Sequence, residues 1–78
     1  MRIEFTAASR KHRIGRPHVR YVTATQEPEQ TVTARGAIGS KYVGPDDRGV
    51  QLEVIAVELD DGGLLVVHAM PASFRRGE

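Results

Sequence analysis

The sequence predicts an α+β domain: a short N-terminal strand, two short helices, then a three- to four-stranded antiparallel meander with both helices on one face. Three observations carry this expectation. Ile3 and Phe5 alternate with Arg2 and Glu4, the period of a strand. Residues 6–25 hold helix punctuation, with Thr6 as a cap, Gly15 as a stop and Pro17 as a start. From Thr31 onward the apolar runs TVTARGAIGSKYV, VQLEVIAVEL and LLVVHAM are separated by the turn sequences GPDDRG and DDGG.

Each element has a local reason. The Thr6 hydroxyl can accept an unpaired N–H of a first helical turn, which places a helix over Ala7 to Arg13. Pro17 suits the start of a second helix, where its missing N–H is no loss, and Val19 and Val22 share one face of it. Thr23 and Thr25 weaken that helix, so it fades before Pro28. Gln26 to Gln30 reads as a polar connector. Gly36 and Gly39 interrupt the first β run, which is either two short strands or one bulged edge strand. No internal repeat or low-complexity tract stands out.

The DDGG turn sets Leu59 opposite Leu64. One face then carries Leu59, Val57, Ile55, Glu53 and Gln51 beside Leu64, Val66, His68 and Met70. The other carries Ala56, Val54, Leu52 and Val50 beside Leu65, Val67 and Ala69, with Glu58, and is the better core candidate. If Gly44 to Gly49 closes a hairpin with Val43 opposite Val50, a polar patch gathers Ser40, Tyr42, Gln51, Glu53, His68 and Met70. A one-residue slip puts Lys41 there instead of Ser40 and Tyr42.

Composition bounds the rest. A chain of 78 residues is one domain, spanning 1–78. A domain of that size hides only about 60% of its unfolded surface. There is no cysteine, which removes disulfides and thiolate zinc sites and fits a reducing cytoplasm. The N-terminus lacks the apolar core of a signal peptide, and no run approaches a membrane span, so a soluble protein is expected. Net charge is +1, yet Arg2 to Arg20 holds six Lys or Arg against Glu4 alone. Such a basic segment favours phosphates or an acidic partner.

Three stretches carry a resemblance to a known family: RKHRI at 10–14, YVGPDDRGVQLEV at 42–54 and VVHAMP at 66–71. With the order of elements, they make the whole chain resemble the BrnT-like and RelE/ParE-like ribonuclease toxins of type II toxin–antitoxin systems. The resemblance implies a cytoplasmic protein that acts on RNA, possible ribosome-bound mRNA included, and that a cognate antitoxin neutralises.

Metal-free RNA cleavage needs a base for the 2′-hydroxyl proton, cations for the phosphorane and an acid for the 5′-oxygen. Histidine suits either proton transfer, and His68, where the sheet face turns polar, is the leading candidate. Glu53, one diagonal away, can orient the imidazole or act as base. His12, within RKHR, is the second catalytic candidate. RNA contacts are expected from Arg10, Lys11, Arg13, Lys41 and Arg48, from Arg75 and Arg76 as phosphate-binding guanidiniums, and from Tyr42 stacking on a base. His18 reads as surface. No two histidines have metal-ligand spacing, so neither metal nor cofactor is expected.

Three other functions stay open at this point: a non-catalytic module that binds an antitoxin or nucleic acid, a gyrase-directed toxin, and a DNA-binding helix-turn-helix. Helices this short and a chain that turns wholly β speak against the last. Self-association as a homo-oligomer is also open.

Overall fold

A computed structural model describes residues 2–73 of the chain. Those residues form one α-helix and a five-stranded mixed sheet, which corrects the expected two helices and antiparallel meander. The elements are β1 (Ile3–Phe5), a 3-10 turn (Ala8–Arg10), α1 (Arg16–Thr25), β2 (Glu29–Val32), β3 (Ile38–Pro45), β4 (Gln51–Glu58) and β5 (Leu64–Pro71). Across the sheet the strand order is β1-β5-β4-β3-β2.

The helix expected over Ala7 to Arg13 is replaced by the 3-10 turn because its polar groups bond locally. Ser9 donates its N–H to Thr6 Oγ1 at 3.1 Å and its hydroxyl to the Thr6 carbonyl at 2.7 Å. The bonds that follow, Arg10 N–H to Ala7 and Lys11 N–H to Ala8, span three residues rather than four. So short a segment cannot carry the nucleation cost of an α-helix unaided. Ser9 itself is buried against β5. Arg13 then takes a left-handed backbone, φ 58°. That geometry strains any residue with a Cβ, and Arg13→Gly is expected to raise stability by about 0.5–1 kcal/mol. A higher urea midpoint at unchanged slope would register it.

The second correction concerns β1. It lies at the sheet edge in parallel with β5, pairing Ile3 with Leu64 and Phe5 with Val66, so the sheet is mixed. The connection between these parallel strands is long, as such pairing requires: the 3-10 turn and α1 carry the chain to β2 at the opposite edge, and β3 and β4 bring it back to β5. Periodicity identifies a strand but carries no information about its partner or direction. Glu29 and Gln30, expected in a connector, belong to β2, and the run from Thr31 to Val43 divides at Gly36 into two strands.

All three hairpins close through one type of turn. Gly36, Gly49 and Gly62 each donate to a carbonyl three residues back, and each has φ between 85° and 89°. A type I turn followed by a left-handed glycine is a standard three-residue hairpin connection. Thus the β3–β4 loop runs from Asp46 to Val50, and Pro45 stays in the strand. Val43 consequently faces Glu53 rather than Val50. An odd shift in register exchanges the two faces of β3.

α1 covers one face of the sheet. Val19 and Val22 are fully buried against Tyr42, Leu52, Val54, Ala56, Leu64, Val66 and Ala69. Ten residues are too few for an isolated helix in water, so this packing holds α1 in place. Arg16 stacks over Phe5 at 5.4 Å from the ring centre. β5 carries a bulge at Val67: Ala56 pairs with Val66, whereas Ile55 pairs with His68. The bulge breaks the alternation, so Leu64, Val66 and Ala69 all reach the core. Leu65 and Val67, expected in that core, face the other way.

Candidate functional site on the helix-free sheet face

The face opposite α1 has no helix over it among the described residues. On it the bulge in β5 delivers His68, and the β4–β5 register sets Glu53 one diagonal away. His68 Nε2 lies 3.1 Å from Glu53 Oε2. The histidine side chain is about a third exposed and the carboxylate is largely buried. With Glu53 ionised and the imidazole neutral, Nε2 carries the proton toward the carboxylate and Nδ1 keeps a lone pair. A carboxylate that fixes the tautomer while the other ring nitrogen takes a proton is the arrangement of a general base.

His68 also borders a groove of about 490 Å³. Ile55, Leu65 and Val67 make its apolar floor, Thr6 and Ala8 one wall, and the β2–β3 turn with Thr33, Ala34 and Arg35 the other. The size suits a small ligand, and a few polar groups over an apolar floor is the usual composition of such sites.

The expected site residues divide sharply. Lys41 shares a cross-strand row with Ile55 and His68 on the helix-free face, as the slipped register anticipates. Tyr42 and Ser40 point the other way, and Tyr42 is 8% exposed in the core. Base stacking by Tyr42 is therefore corrected. Its phenol is pushed above its ordinary pKa by burial and then by the charge of Glu58. Arg10, Lys11 and Arg13 are exposed along the segment around the 3-10 turn, and His12 is half-buried within it. Arg48 lies in the β3–β4 turn, bonded to Asp46. Arg75 and Arg76 fall outside the described residues.

Asp46 explains that turn. Its side chain is fully buried, and its two oxygens accept the backbone N–H groups of Arg48 and Val50 and two guanidinium N–H groups of Arg48, at 2.6–3.0 Å. Burial works against its charge, but the hydrogen bonds from Arg48 and Val50 prevail and lower its pKa from 3.8 to about 2. His18, expected at the surface, bonds Asp47 through Nδ1 at 2.6 Å and ties the first turn of α1 to this hairpin. His18, Asp46 and Asp47 bring donor atoms within 4.8 Å of one another. Since Asp46 already accepts four N–H donors, it has no oxygen left to give a cation, and the cluster works as a staple.

Arg35 and the groove floor escape the sequence reading. Glycine spacing is the signal that finds Arg35, because the residue before a left-handed hairpin glycine sits at the tip. No protein-family model matches the chain, and no curated protein and no solved structure matches it. No described helix is long and apolar enough to cross a membrane.

Proposed function

We propose that the chain is a metal-independent endoribonuclease, the toxin of a type II pair, acting on RNA in the cytoplasm and held in check by an antitoxin. The observation that carries this reading is the His68–Glu53 pair at the edge of an open groove. In it, Nδ1 of His68 takes the proton of a 2′-hydroxyl, and the freed oxygen attacks the adjacent phosphorus. The 5′-oxygen leaves and is protonated by solvent, giving a 2′,3′-cyclic phosphate and a 5′-hydroxyl. Glu53 stabilises the imidazolium that forms. The apolar floor accepts a base, and Lys41 stands on the same side of the sheet to receive a phosphate. Because imidazole removes the proton itself, the step calls for no metal.

A second reading draws on the groove floor. Ile55, Leu65 and Val67 suit an apolar side chain of a partner as well as a base. Under that reading the chain binds an antitoxin or another protein and performs no chemistry. Inducible bacterial expression separates the two. Wild type is expected to arrest growth and fragment total RNA, and His68→Ala, soluble and folded, to do neither. Arrest that persists in the folded variant would remove His68 from the mechanism.

A further inference from the structure

The two edges of the sheet differ in how they are protected. β1 is three residues long, and Arg2 bonds both Glu4 and Asp61 across its end. Charge and brevity are ordinary means of blunting an edge. β2 is also short, at four residues, but its one charge, Glu29, stands at its first position and leaves Gln30 to Val32 uncharged. Thr33 donates its N–H inward to the Ala37 carbonyl. By alternation Val32 and Gln30 aim their own N–H and C=O groups outward, away from β3. Beside that open ladder, Val32 and its cross-strand partner Ile38 are each 66% exposed.

We infer that two copies of the chain join β2 to β2, antiparallel about a two-fold axis through Thr31, to form one continuous sheet. In this register Gln30 of each copy pairs with Val32 of the other, and both residues use the groups they aim outward. Four backbone hydrogen bonds result. Thr31 meets its own counterpart as a non-hydrogen-bonded pair. Glu29 comes opposite the partner's Thr33, beyond which the partner chain turns through Ala34 and Arg35. The acids that precede and begin β2, Glu27 and Glu29, therefore approach the turn that carries Arg35 of the other copy, and the pairing occurs twice because the interface is isologous. Charge complementarity within one chain's own edge, acid before the strand and base after it, selects a second copy as the occupant. Pro28, opposite Ala34, aims its missing N–H at a position where the turn offers no carbonyl in register. Each dimer also brings the acidic residues of one copy beside the groove wall of the other, since Arg35 borders that groove.

Sedimentation of the full chain over a wide concentration range tests this, together with four variants. Wild type is expected to be a dimer. Gln30→Pro, which deletes only an outward N–H, is expected to be a folded monomer by circular dichroism. Arg35→Glu and Glu27→Arg should each dissociate the dimer, and the two changes combined should restore it. Thr31→Cys, in a chain without cysteine, should form a disulfide-linked dimer on mild oxidation, because only this register brings the two positions within bonding distance. A wild type that stays monomeric throughout overturns the inference. So does a dimer that survives Gln30→Pro, or one that Thr31→Cys fails to cross-link.

Discussion

Asp46→Ala is expected to destabilise the domain by about 3 kcal/mol, since it strips a buried partner from two backbone N–H groups and a guanidinium at once. The turn it organises joins β3 to β4, the strands that carry Lys41 and Glu53, and it anchors α1 through the neighbouring Asp47. The loss therefore extends beyond the loop. Acid should reproduce part of it in the wild type. With the carboxyl held at about 2 when folded and 3.8 ordinarily, the folded state binds the proton less readily than the unfolded chain. Its contribution is complete above the ordinary value and is lost as pH falls through the lower one. The difference corresponds to about 2 kcal/mol. Urea midpoints measured between pH 5 and pH 2 should fall for the wild type through this window, and Asp46→Ala should lack that component. Equal acid sensitivity in both proteins would assign the loss to other carboxylates.

His68→Gln is expected to reduce RNA cleavage by at least about 100-fold, the lower end of what a positioned general base supplies. Glutamine keeps a polar side chain beside Glu53 but cannot take the proton. Glu53→Gln should also lower the rate, through loss of the charge that favours the imidazolium. Because the two groups act as a unit, the double variant should be little worse than His68→Gln alone. Fully multiplicative losses would mean that Glu53 acts apart from the histidine.

How far the sequence discloses this architecture depends on the range of the interaction involved. The strands of β4 and β5, the helix start at Pro17 and the buried Val19 and Val22 follow from local periodicity and turn chemistry. The proximity of Glu53 to His68 matches the expectation for a different reason than the one that predicts it: the turn sets Leu59 opposite Gly63 and Glu58 opposite Leu64, not Leu59 opposite Leu64, and the extra residue at the bulge then brings Ile55 opposite His68. The bulge at Val67 is invisible in that pattern, since a bulge depends on packing against the strand beyond. It leaves the His68 end as expected and sends Leu64 and Val66 to the opposite face. β1 fails to disclose its parallel partner for the same reason. The register of β3 is different in kind, because its clue is present. Glycines at 36, 49 and 62 fall at equal spacing, each closing the same turn, and that spacing places Tyr42 in the core and Lys41 on the open face. The 3-10 turn reflects competition between Ser9 and the helical backbone for Thr6, which propensity alone does not weigh.

The proposed role of the helix-free face is tested most directly with purified protein. A labelled single-stranded RNA incubated with the wild-type chain in the presence of a chelator should yield fragments ending in a 2′,3′-cyclic phosphate, and folded His68→Gln should leave the RNA essentially intact. Undiminished cleavage by the folded variant, or intact RNA with the wild type, would contradict the assignment of chemistry to the His68–Glu53 pair.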